Sequence, residues 1–131
     1  CFDFTVKADM DETALVPREV KKFCIDHGIS ANKANIVAMA AEEMIVNCIK
    51  YGGRLSHWID VSLVIEKSKM LLRIRDNGVP FNPTEYEFDS GKFDIHGIEL
   101  VKTISSNISY MRTIDLNNTV LEFDMEQEEE R

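Results

Sequence analysis

Between residues 59 and 74 the apolar side chains recur at every second position, and they do so twice: Ile59, Val61, Leu63 and Ile65, then Met70, Leu72 and Ile74 after a turn at Lys67 to Lys69. A period of two sends alternate side chains to opposite sides of a strand, so each run has one face to bury. Two such runs joined by a short polar turn predict a hairpin, and a hairpin with one apolar face needs a second layer to cover it.

Helices supply that layer. Ser30 is a good N-cap, and after it Val37, Ala40, Ala41, Met44, Ile45 and Cys48 form a stripe at helical spacing that stops at Gly52-Gly53. An earlier helix is expected from about Asp11 to His27, with Leu15, Phe23 and Ile25 apolar, Pro17 near its first turn and Gly28 as its stop. Phe2, Phe4 and Val6 alternate as a first strand. A short helix beginning near Gly97 carries Ile98, Val101 and Ile104 inward, and strands follow around Ile108 to Met111 and Thr119 to Phe123. The sum is an α+β sandwich of two layers, a mostly antiparallel mixed sheet with its helices on one face.

At 131 residues the chain has the length of one domain, expected over 1–125, with an acidic tail over 126–131 that frays. The chain opens on Cys1 in a strand-like run and reads as a domain cut from a longer protein. Hydrophobic residues make up 44% and charged residues 29%, and no apolar run approaches the ~18 residues of a membrane span. With no signal peptide either, a cytoplasmic location is expected. The net charge of -8 argues against a nucleic-acid partner, because phosphate backbones are held by clustered Lys and Arg. Cys1, Cys24 and Cys48 form no CxxC pair, and His27, His57 and His96 have no metal-ligand spacing, so reduced thiols and no zinc site are expected.

Three clusters carry candidate chemistry. Glu43 and Asn47 stand one turn apart on the same side of the second helix, either as a solvated face or as paired functional groups. Arg75-Asp76-Asn77-Gly78-Val79-Pro80-Phe81 ends a strand. Counting by two from Met70 puts Asp76 on the core side, where a carboxylate needs a partner. That partner is either the turn it caps or a ligand amino group, which Gly78 would let approach the backbone. His96-Gly97-Ile98-Glu99-Leu100 follows a long polar stretch, 77–94, that reads as a lid; a glycine opening a helix exposes N–H groups that could hold phosphate oxygens, or is ordinary punctuation.

Taken in order, Glu-x-x-x-Asn on a helix, Asp-x-Gly at a strand end, a lid, and Gly at a helix resemble the GHKL ATPase superfamily, in particular the anti-sigma-factor serine kinases. The resembling segments are 42–47, 75–81, 97–100 and Asn118-Thr119-Val120-Leu121-Glu122-Phe123. The resemblance implies that Asn47 holds the magnesium bridging the phosphates of ATP and that Glu43 is the general base. It implies that Asp76 accepts the adenine amino proton, with Gly78 and Phe81 beside it. Gly97, with Ile98 next to it, belongs at the phosphates, and Thr119 at the pocket floor. Two departures stand out: Ile95 occupies the place of a usual glycine, and the lid is acidic and lacks an arginine, so a weaker phosphate grip is expected.

The preferred expectation is therefore an ATP- and Mg²⁺-dependent serine/threonine protein kinase acting on a small anti-sigma-antagonist-like protein. The resemblance also implies a homodimer and a sigma factor as a further partner. The alternatives are an ATP-sensing module without phosphate transfer, which the incomplete glycine box favours, and an interaction domain without nucleotide. A complete sensor histidine kinase is not expected, since no helical hairpin bearing a phosphoacceptor histidine precedes the domain.

Overall fold

Pro17 accounts for the first departure from the sequence pattern. The computed structural model describes residues 2–7, 10–51, 58–66, 68–80, 82–85 and 95–124. It divides the expected first helix into α1 (Met10–Thr13) and α2 (Leu15–Asp26), with Ala14 between them. A proline has no N–H for the carbonyl four residues earlier, here that of Thr13, and its ring crowds that carbonyl. The helix restarts so that Pro17 falls in the first turn of α2, where no intrahelical donor is required. At the other end Gly28 takes φ +84°, a left-handed closure, and the Ile29 N–H reaches back to the Cys24 carbonyl at 2.9 Å.

Ser30 starts α3 (Ala31–Tyr51) as expected: its Oγ accepts the Lys33 N–H at 3.1 Å. Ala34, Val37, Ala38, Ala40, Ala41, Met44 and Ile45 are all buried, a stripe wide enough to meet two neighbours at once. The sheet lies against it, and α2 adds Val16, Val20 and Cys24 to the same core. The expected stop at Gly52-Gly53 lies outside the described residues, as does the expected tail over 126–131.

The sheet comprises β1 (Phe2–Lys7), β2 (Trp58–Ile65), β3 (Lys69–Asp76), β4 (Asn107–Thr113) and β5 (Leu116–Asp124), in the order β1-β2-β3-β5-β4. Each neighbouring pair is antiparallel, and no parallel pair occurs among the described residues. Glu66 and Lys69 exchange backbone hydrogen bonds of 2.8 and 3.3 Å, so Lys69, expected in the turn, is already the first residue of β3. Ile59, Val61, Leu63, Met70, Leu72, Ile74, Leu121 and Phe123 turn one face of the sheet into the core beneath the helices, and the intervening residues face away. Truncating one of these, such as Leu72→Ala, removes about 2–5 kcal/mol, a large part of a small domain's stability.

The last helix, α4 (Ile95–Ile104), buries Val101 and packs Ile104 against the core. It begins two residues before the expected start, so Gly97 stands in its first turn rather than opening it. Because β5 inserts between β3 and β4, the end of β3 lies opposite the start of β5: Asp76 pairs with Asn117. That crossing sets the Asp76 end of β3 beside the Asn117 end of β5.

Candidate functional site

Asp76 ends β3 on the core side, as the alternation predicts, and is only 4% exposed. A carboxylate buried to that degree must be hydrogen-bonded. Its Oδ1 accepts the Gly78 N–H at 3.1 Å and the Asn117 Nδ2–H at 2.8 Å. Asn117 Nδ2 also donates to the Val79 carbonyl at 2.9 Å, the Tyr110 hydroxyl donates to Asn117 Oδ1, and Arg112 Nη1 donates to the Gly78 carbonyl at 2.9 Å. Asn77 faces the other neighbour, its Oδ1 accepting the Trp58 N–H at 3.0 Å. The loop after β3 is thus tied to β2 on one side and to β5 and β4 on the other.

On α3, Asn47 is 3% exposed, and its Nδ2 is buried with no hydrogen-bond partner among the described residues. Glu43, one turn earlier, is half-buried. Cys48, the next residue after Asn47, sets its thiol within hydrogen-bonding reach of the Asp76 carboxylate. Burial first, and then that negative neighbour, push the Cys48 thiol well above its ordinary range. This contact brings the Asn47 end of α3 to the Asp76 end of β3. Thr119 and Asn117, two residues apart on the core side of β5, are both 5% exposed.

Of the residues expected at a site, Asn47, Asp76, Gly78 and Thr119 are therefore all buried, with Glu43 at the edge of that group. Gly97 and Ile98 lie in the first turn of α4, whose side chains fall outside the described residues, as does Phe81. Tyr110, Arg112 and Asn117 are not among the residues expected from the sequence. Counting by two from Ile108 and from Leu121 would have placed all three on the core side, where polar groups demand an explanation.

The profile of the Histidine kinase-like ATPase domain family matches residues 6–123. The chain belongs to this family. A comparison with curated proteins gives no match. Among solved structures, the histidine kinase domain of a blue-light activated histidine kinase from Erythrobacter litoralis is 12% identical, with a TM-score of 0.57 over 74% of this chain and 46% of that one. A longer structure of the same kinase is 13% identical, with a TM-score of 0.59 over 76% and 32%. The Acinetobacter baumannii histidine kinase AdeS is 14% identical, with a TM-score of 0.53 over 70% and 47%. At these identities the structures show a shared fold, and this chain spans less than half of the length of each.

As a histidine kinase-like ATPase domain, the chain is an ATP-binding module. Its residues fit that ligand. Asp76 has one oxygen committed twice to protein N–H groups, and among the described residues only the weakly donating Cys48 thiol also reaches the carboxylate, which leaves acceptor capacity for a base amino group. Amide nitrogen and oxygen are told apart by their partners, and the buried Nδ2 position of Asn47 has none, so oxygen can stand there equally well. Magnesium takes such an oxygen together with nucleotide oxygens and waters. Among the described residues, no helix is long and apolar enough to cross a membrane.

Proposed function

We propose that this ATP-binding domain is a Mg²⁺-dependent serine/threonine protein kinase of the anti-sigma regulatory type, acting in the cytoplasm on a small antagonist protein. The observation that carries the reading is Glu43, half-buried and one helical turn from Asn47, whose buried Nδ2 has no partner among the described residues. Phosphoryl transfer asks for positioning, charge compensation and a group that orients the nucleophile. Asn47 supplies a metal ligand, and Asp76 with Gly78 and Thr119 supplies the adenine end. Gly97 and Ile98 at the start of α4 supply the phosphate end, and the family resemblance adds Phe81 to the adenine end.

In the proposed step the substrate hydroxyl oxygen bonds to the terminal phosphorus as the bond from that phosphorus to the bridging oxygen breaks. Glu43 takes the hydroxyl proton, and ADP leaves.

The test is radiolabelled phosphate transfer to candidate antagonist proteins, with nucleotide binding measured on the same preparations. Glu43→Ala should cut transfer by about 10²- to 10⁴-fold with affinity within a few-fold, the scale of a general base. Asn47→Ala should weaken both, because a metal ligand acts in the ground state as well as the transition state.

A second reading is an ATP sensor without transfer. Ile95, standing where the resemblance expects a glycine, favours it, because that residue is the first of α4 and its backbone is helical. Nucleotide binding with no transfer to any candidate, unaltered by Glu43→Ala, would select the sensor.

A further inference from the structure

Asn117 has no role in the proposed phosphate transfer, yet its amide makes three hydrogen bonds at the site. The Asp76 carboxylate and the Val79 carbonyl can only accept, so the amide nitrogen must face them, and both of its hydrogens are committed. The amide oxygen then faces Tyr110, whose hydroxyl donates. The result is a ladder across three strands, from Tyr110 on β4 through Asn117 on β5 to Asp76 on β3. It is set by the pairing of Asp76 with Asn117 and of Asn117 with Arg112.

With only the Gly78 N–H and the weakly donating Cys48 thiol upon it, a carboxylate at the end of a strand could turn about its side-chain torsions. The bond from Asn117 to the oxygen that Gly78 already holds opposes that turn. We propose that Asn117 is a specificity-determining residue of the nucleotide site: by holding Asp76 as an oriented acceptor, it makes the pocket read a base amino group over a base carbonyl. Asn117 acts through Asp76 and is a positioning residue. The inference rests on the proposed adenine contact of Asp76.

Adenosine and inosine triphosphates differ at the position concerned, an amino group in one and a carbonyl in the other, so their affinity ratio reads the orientation of Asp76. Calorimetric titration of both nucleotides into wild type, Asn117→Ala and Tyr110→Phe tests the proposal, with circular dichroism melts to establish folding. Wild type should prefer ATP by about tenfold or more, the scale of a hydrogen bond to a charged acceptor. Asn117→Ala should lose about tenfold in ATP affinity while inosine triphosphate changes by less than about twofold. Tyr110→Phe, which leaves the backbone and the Asn117 amide in place, should shift the ratio in the same direction by less, and it decides the matter if Asn117→Ala does not fold. An equal loss for both nucleotides, or an unchanged ratio, would show a structural role only and overturn the inference while leaving the adenine contact standing. A wild type that binds neither nucleotide overturns the reading of the site itself.

Discussion

The thiol of Cys48 lies against the carboxylate of Asp76, joining the helix that carries Asn47 to the strand end that carries the buried acid. Burial raises Cys48 well above the ordinary thiol range, with Asp76 adding to it, and burial alone pushes Cys24 from 9.0 up to about 11. The thiolate is the reactive form, so a rise of two pKa units leaves about a hundredfold less of it at neutral pH. Iodoacetamide at pH 8 should label Cys24 and Cys48 at least about tenfold more slowly in the native protein than in urea, read by peptide mass spectrometry. Equal native and denatured rates would show that neither thiol is buried as described.

The hairpin between β4 and β5 places Ile114 at φ +44° and Asp115 at φ +64°. Thr113 pairs with Leu116, so these two residues form the whole loop, and positive φ at both is the geometry that Asn-Gly adopts with least strain. A β-branched residue there is strained, and Ile114 is 87% exposed, so its side chain gains little from packing. Ile114→Asn should therefore stabilise the domain by about 1 kcal/mol, visible as a higher melting temperature. A lower one would mean that Ile114 makes contacts in solution that offset the strain.

Much of the fold could be read in the sequence because alternation and helical spacing are local signals. The runs 59–65 and 70–74 gave the central hairpin and the inward side of Asp76, Ser30 gave the start of α3, and Gly28 gave the end of α2. The break at Ala14 was not read, although Pro17 carries its cause: the effect falls on a carbonyl four residues away, and alanine itself gives no sign of a break. The start of α4 was misplaced at Gly97 because glycine is a strong punctuation mark and Ile95 a weak one. At the site, Asn47 and Asp76 were found by spacing within single elements. Asn117 and Tyr110 were not, since their partnership with Asp76 depends on β5 lying between β3 and β4, a strand order that no local pattern encodes.

Asp60, on the outward face of β2, offers a pH test of the sheet. Burial tends to raise its carboxyl, but the Thr5 hydroxyl at 2.6 Å and the Arg75 guanidinium at 2.5 Å outweigh it and hold Asp60 below its ordinary 3.8. A group whose folded value is depressed stabilises the fold above its unfolded value and loses that contribution as pH falls through the folded one. Asp60→Asn should be less stable than wild type in urea at pH 7, and the gap should close as pH falls below about 3.8. A gap that stays constant with pH would mean that the ion pair contributes only through packing.

On the proposed function, the buried acid at the end of β3 is where this ATP-binding domain reads its nucleotide. Calorimetric titration of Mg-ATP into wild type and Asp76→Asn tests it most directly. Asparagine at 76 can keep an oxygen toward the Gly78 and Asn117 donors, but it turns an NH2 group toward the adenine amino group, donor against donor. Binding to wild type should be saturable, with a loss of roughly 1.5–3 kcal/mol, about 10- to 100-fold, in the variant and a smaller change in melting temperature. The same affinity in both proteins would contradict it.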